Sequence, residues 1–127
     1  MLGISAAAVE SDRLGALREL SRKFGGCHVV LKGRHTLVGS ARGPVFINCS
    51  GNPRLAQGGS GDLLGGYMAG FLAQPTCQQD PMTAIRFAVW QHGAVADQLS
   101  RWRDNWTIHD LALRMGIVAP GACADYD

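Results

Sequence analysis

Apolar and polar positions follow two different periods along this chain, and each change of period marks an element. Leu14, Leu17, Leu20 and Phe24 recur at helical spacing after Ser11-Asp12-Arg13, which predicts a helix with Ser11 as its N-cap. A shorter turn over Ala6 to Val9 precedes it, and Gly25-Gly26 ends it. Cys27 to Leu31 (CHVVL) is an apolar run of the kind found in strands buried on both faces. The order helix, glycine stop, buried strand is half of a βαβ unit. Thr36 to Gly39 and Val45 to Asn48 predict two short strands, joined as a hairpin through Ser40 to Pro44.

A glycine-rich segment, Gly51 to Asp62 (GNPRLAQGGSGD), then leads into an apolar run predicted as a helix over Asp62 to Gln74 and stopped by Pro75. That helix carries Gly65, Gly66 and Gly70. Each costs roughly 1 kcal/mol against alanine in a helix interior, so the pattern predicts close approach of another backbone, a strand or a ligand. Thr76 to Pro81 reads as a polar link. Met82 to Leu99 reads as a long helix with Ile85, Ala88, Val89, His92, Ala96 and Leu99 on one stripe. His92 on that apolar face reads as a core histidine. Arg101 to Asn105 is a polar loop. Thr107-Ile108-His109-Asp110 has the form of a capping box opening a last helix through Arg114. Residues 115–127 read as a poorly patterned tail, expected to be mobile.

Only three strands are predicted, and two of them form a hairpin. One buried strand cannot make a parallel sheet by itself. The expected fold class is therefore α/β, with residues 1–127 forming a single partial domain. A homo-oligomer or a further half-domain would complete its sheet.

The charge changes little in this picture but excludes some functions. Twelve basic and ten acidic residues give a net charge of +2 with no basic run, which argues against a nucleic-acid partner. No stretch approaches the ~18 to 20 apolar residues that span a bilayer, and no signal peptide opens the chain. Cys27, Cys49, Cys77 and Cys123 form no CxxC pair. The expectation is a cytoplasmic protein with buried or inert thiols.

The candidate chemistry lies in the glycine-rich segment. No Lys-Ser or Lys-Thr follows Gly58, so a P-loop is excluded, and Gly65 falls one residue late for a dinucleotide GxGxxG. What remains is Gly-Ser-Gly-Asp at a helix start. Gly59, Ser60 and Gly61 can offer N–H groups to an oxyanion or a transferring phosphoryl group. Asp62 can accept a proton from a hydroxyl beside it, or it can serve only as an N-cap. Lys32-Gly33-Arg34-His35-Thr36 follows CHVVL, at the strand end where open α/β sheets bind ligands.

KGRHT, VFIN, GNPRLAQGGSGDLLGGYMAGFLAQ and WQHGAVAD, in this order and spacing, resemble the C-terminal half of the ADP/ATP-dependent NAD(P)H-hydrate dehydratases of the ribokinase-like superfamily. The resemblance runs from about Leu2 to about Leu113. It implies part of a three-layer αβα fold and an enzyme that phosphorylates hydrated NAD(P)H with ADP or ATP, after which phosphate leaves. It further implies that Lys32, Gly33, Arg34, His35, Thr36 and Gly61 bind the nucleotide, and that Asp62 and Asn52 contact substrate, with Asp62 the base. Mg²⁺ would come with the nucleotide rather than on a protein cage. Arg54 and Gln57 stand where the family usually has glycine and threonine, and Val95-Ala96 replaces a smaller pair before Asp97. Two further readings remain open: a small-molecule kinase of the same superfamily, and a non-catalytic nucleotide-binding remnant.

Overall fold

The computed structural model describes Gly3 and residues 5–117. Cys123 and most of the expected tail lie outside these. The chain divides into two compact units, Met1–Asn48 and Cys49–Asp127.

In the first unit, α1 (Ala6–Ser11) and α2 (Arg13–Lys23) precede three strands: β1 (Val29–Leu31), β2 (Leu37–Gly39) and β3 (Phe46–Ile47). Asp12, rather than Ser11, caps α2, its carboxylate accepting from Gly15 N–H at 2.8 Å. Ser11 belongs to α1 and donates its hydroxyl back to the Ala8 carbonyl at 2.8 Å, so the break between the helices falls one residue later than expected. Of the predicted apolar stripe, Leu17 is fully buried whereas Leu14 and Phe24 are exposed. Ser21, buried beside Leu17, donates to the Cys27 carbonyl at 2.6 Å and accepts from Ala41 N–H at 2.7 Å. Arg18 donates to the carbonyls of Ser40 at 2.6 Å and Gly43 at 2.7 Å. These bonds fasten α2 to the end of the sheet where β1 begins and β2 turns into β3.

The sheet has the order β1-β2-β3 with both pairings antiparallel: Val30 faces Val38, and Val38 faces Phe46. The expected hairpin over 36–48 is present. The expectation for CHVVL is corrected. Only Val29–Leu31 is strand, Cys27 and His28 are exposed, and of the three strand residues Val29 alone is buried. Among the described residues β1 pairs on one side only, with β2. Cys27 and Cys49 are exposed free thiols and Cys77 is half-buried, which corrects the expectation of buried cysteines.

The second unit is helical. A 3-10 turn (Pro53–Leu55) precedes α3 (Ser60–Leu72), α4 (Pro75–Gln78), α5 (Pro81–Trp102) and α6 (Ile108–Arg114). Pro75 ends α3 as expected and takes the first position of α4, where its missing N–H does no harm. Asp80 caps α5 by accepting from Thr83 N–H at 3.1 Å. α5 is buried at six consecutive positions, Gln91 to Ala96, as befits a helix with others around it. It contacts α3, α4, α6 and the 3-10 turn. Its Ala94, Val95, Ala96 and Leu99 form a core with Trp106 and Leu111. The Thr107–Asp110 capping box is present in both directions. Among the described residues no helix is long and apolar enough to cross a membrane.

Candidate active site

The glycine-rich segment hangs from one face of α5. Its upstream end is held at positions 90, 93, 97 and 100, which share a face at helical spacing. Ser50 donates its hydroxyl to the Trp90 carbonyl at 2.8 Å. Gly93 meets the Ser50 backbone so closely that an added Cβ would lie 2.6 Å from the Ser50 carbonyl carbon and oxygen. The Asp97 carboxylate accepts from Gly51 N–H at 2.7 Å and from the Asn52 side-chain amide at 2.9 Å. Asn52 also donates to Ser100 Oγ at 3.2 Å, and that oxygen accepts from Trp106 Nε1 at 2.8 Å.

Asn52 was expected to touch substrate. Here its side chain belongs to the anchor: the amide nitrogen serves α5 and the amide oxygen accepts from Arg54 N–H at 3.1 Å. The Arg54 guanidinium pairs with Asp104, at 2.6 Å from Oδ1. Gln57 donates to the Arg54 carbonyl at 2.8 Å and to the Trp106 carbonyl at 3.4 Å.

At the downstream end the chain turns sharply into α3. Gly59 is the N-cap, in the left-handed region at φ 86°, with no side-chain cap bond. A side chain is strained there, which explains a glycine at this position. Asp62 is therefore not the N-cap. It is the third residue of the helix, exposed, and its carboxylate makes no hydrogen bond or ion pair with a described residue. Ser60 is only 2% exposed, and its N–H donates to the Gln57 carbonyl at 3.2 Å. Ser60 thus cannot be the anion donor it was expected to be. The N–H groups of Gly59, Gly61 and Asp62 have no acceptor among the described residues. Two of these open an α-helix, where orphan donors and the helix dipole favour an anion. Below them His92, 3% exposed, lies with Nε2 3.1 Å from the Ser60 carbonyl oxygen and 3.4 Å from its hydroxyl. His92 is a satisfied core histidine, as its apolar stripe implied.

Lys32 to Thr36 belong to the first unit and form the turn between β1 and β2. Lys32, Gly33, Arg34 and His35 are exposed. His35 takes φ 56°, uncommon for a residue with a side chain. Arg13 lies beneath the turn. It donates to the carbonyls of Leu31 at 3.1 Å and Lys32 at 3.4 Å, and its guanidinium would meet any Cβ at Gly33, 2.5 Å away. Gly33 at φ 144° takes a backbone conformation that strains a side chain. Asp97, Ser100, Trp106 and Arg13 carry these segments yet escaped the sequence reading. Polar residues at 97 and 100, in register with Gly93 on a largely apolar helix, were the available signal.

Among the described residues no backbone or strand approaches the three glycines of α3. A Cβ at Gly65, Gly66 or Gly70 would find nothing within 4 Å. With Gly61 and Asp62 they line an exposed face of the helix.

The chain is similar to several known proteins. The chain is 43% identical over 97 residues to the ADP-dependent (S)-NAD(P)H-hydrate dehydratase of Neisseria meningitidis, covering 76% of this chain and 31% of that protein. It is 42% identical over 115 residues to the bifunctional NAD(P)H-hydrate repair enzyme Nnr of Gloeobacter violaceus, covering 91% and 22% respectively. Its fold superposes on a crystal structure of the ADP/ATP-dependent NAD(P)H-hydrate dehydratase of Bacillus subtilis co-crystallized with ATP and Mg²⁺. The TM-score is 0.81 at 30% identity, over 91% of this chain and 41% of that one. A ribokinase-like superfamily protein from Enterococcus faecalis matches with a TM-score of 0.68 at 32% identity, over 84% and 36%. The chain thus spans about a third or less of the length of these curated relatives and under half of the solved ones. The family model described as NAD(P)H-hydrate dehydratase matches residues 1–115. On this match, and on the fold it shares with the solved relatives, the chain belongs to the NAD(P)H-hydrate dehydratase family.

Proposed function

We propose that this chain supplies the anion hole and the proton acceptor of an NAD(P)H-hydrate dehydratase that uses ADP or ATP. One observation carries the reading. The Gly61 and Asp62 N–H groups and the Asp62 carboxylate, all without partners among the described residues, open the same helix turn. N–H donors suit the terminal phosphate of the nucleotide. The carboxylate suits the hydroxyl of the hydrated nicotinamide ring. The hydroxyl oxygen attacks the terminal phosphorus while Asp62 takes its proton, and the bond from that phosphorus to the departing nucleotide breaks. The ring carbon–oxygen bond then breaks, phosphate leaves with the bonding pair, and the neighbouring ring carbon loses a proton to water, its C–H pair forming the double bond that restores the dihydronicotinamide. The exposed turn Lys32 to Thr36 is the nucleotide-binding candidate of the first unit, with Arg13 fixing its backbone.

Mg²⁺ would come with the nucleotide, held by its phosphates, and would supply neutralisation of phosphate charge. Among the described residues no three His, Cys, Asp or Glu side chains converge. The unpaired edge of β1 is the place where further polypeptide, from the rest of such an enzyme or a second copy, would extend the sheet.

The test measures recovery of NADH absorbance from hydrated NADH with ADP or ATP and Mg²⁺. The chain is assayed both alone and joined to the complementary part of the Neisseria relative. Recovery is expected in the joined form. Asp62→Asn should lower its rate by about 10²- to 10⁴-fold, the range of a positioned general base, while ADP still binds. Unchanged recovery in Asp62→Asn would remove Asp62 from the chemistry. Phosphorylated hydrate accumulating without elimination would identify a kinase. Absence of recovery in both forms would leave a nucleotide-binding remnant.

A further inference from the structure

We propose that His92 is a positioning residue of the anion hole: from the core of α5 it aims the Gly61 N–H outward. The argument rests on the preceding reading of that turn as an anion site, and starts from the planarity of the peptide bond. In a trans peptide the carbonyl and the next residue's N–H point in opposite directions. The Ser60 carbonyl and the Gly61 N–H are the two ends of one such unit. His92 Nε2 lies 3.1 Å from the carbonyl end, so a bond there fixes the plane of the unit and sets the opposite N–H.

The chemistry of the acceptor also decides the tautomer. A carbonyl oxygen can only accept, so Nε2 of His92 carries the proton in this contact. The donor withdraws charge from the Ser60 carbonyl and polarises the peptide, which makes the Gly61 N–H a better donor to an anion. The Ser60 hydroxyl, 3.4 Å from the same nitrogen, adds a second link between imidazole and turn. Both partners are nearly fully buried, at 3% and 2% exposure, so the link is shielded from competing water. Gly59 caps the helix without a side chain, so the first turn is held locally by backbone bonds alone, Ser60 N–H to Gln57 and Leu63 N–H to Gly59, and His92 adds a side-chain brace from the core.

The experiment uses the full chain labelled with ¹⁵N. Long-range ¹H–¹⁵N correlation should show His92 as the Nε2–H tautomer at neutral pH, distinct from the exposed His28, His35 and His109. His92→Gln keeps an N–H donor at similar reach and should leave the Gly61 amide resonance near its wild-type position. His92→Leu keeps the bulk without the donor and should displace that resonance. In an ADP titration, His92→Leu should weaken binding about tenfold, the equivalent of one hydrogen bond, with His92→Gln within about threefold of wild type. A merely space-filling His92 would reverse this order, because leucine fills a core better than glutamine. The inference is overturned by an Nδ1–H tautomer, or by a folded His92→Leu whose Gly61 resonance and ADP affinity match wild type. Should His92→Leu fail to fold, the tautomer and His92→Gln still decide. Should wild type not bind ADP, the proposed function fails while the tautomer and resonance shifts still judge the brace.

Discussion

Gly93→Ala sets two effects of known size against each other. Alanine is favoured over glycine in a helix interior by roughly 1 kcal/mol, and Gly93 lies well inside α5. Against that, the new Cβ would fall 2.3 Å from Ser50 Oγ and 2.6 Å from the Ser50 carbonyl carbon and oxygen. Those neighbours are mostly backbone, so they cannot swing aside. Relief requires Ser50 to move, which strains its bond to the Trp90 carbonyl and the adjoining Gly51–Asp97 bond. Overpacking of a fitted core costs about 1 to 3 kcal/mol, and each disturbed hydrogen bond about 1 kcal/mol more. The net expectation is destabilisation by about 3 kcal/mol, or a fall in Tm of roughly 9 to 15 °C. Gly66→Ala provides the control, because a Cβ there meets nothing within 4 Å. It should stabilise the chain by about 1 kcal/mol. Urea unfolding followed by circular dichroism reads both as shifts of midpoint at constant slope. A Gly93→Ala chain as stable as wild type, or a Gly66→Ala chain equally weakened, would refute the close-approach argument.

Three other outcomes are expected. Asp97→Ala leaves the Gly51 N–H and the Asn52 amide without their acceptor and should cost about 2 to 4 kcal/mol. Asp97→Asn keeps one acceptor oxygen and should cost less, and equal losses in urea unfolding would show that the carboxylate is not the anchor. Hydrogen bonds from the Thr107 backbone and side chain, then the nearby Arg103, hold the Asp110 carboxyl below its ordinary value of 3.8. The ionised form is favoured in the fold, so its contribution is present above that value and is lost as pH falls through the depressed one. Acid unfolding of α6 should accordingly lose its Asp110-dependent part in Asp110→Asn, and identical acid profiles would contradict the assignment. Cys27 and Cys49 should react with a thiol reagent under native conditions much faster than half-buried Cys77, as mass spectrometry of timed samples would show, and the reverse order would overturn the exposures described.

Much of the fold was legible because it follows local rules. Leu17 in α2, the Thr107–Asp110 box and the stripe of α5 announce themselves through spacing and caps. The pairing of β1 did not, because CHVVL carries burial in its composition but no record of which neighbour provides it. The site was half legible. Gly61 and Asp62 were picked out as candidates by chemistry, but the left-handed Gly59 moved the helix start two residues upstream of Asp62. That shift took Asp62 from cap to free carboxylate and committed the Ser60 N–H to Gln57. The anchors Asp97 and Ser100 were missed because their partners lie more than forty residues away in sequence. A polar residue on a helix face does not reveal whether it meets water or another backbone.

The composition of α3 has a consequence for when the site exists at all. Four of its thirteen residues are glycine, Gly61, Gly65, Gly66 and Gly70, a deficit of about 4 kcal/mol against an alanine helix. Packing against α5 supplies what its own backbone lacks. Such a segment lies at the low end of the opening free energies within a protein, so α3 should unfold locally while α5 stays closed. Its amides would exchange with solvent sooner than those of Val89 to Leu99. An anion bound at Gly61 would then do more than occupy a formed cradle: by holding the first turn it would raise the fraction of time the whole helix is present.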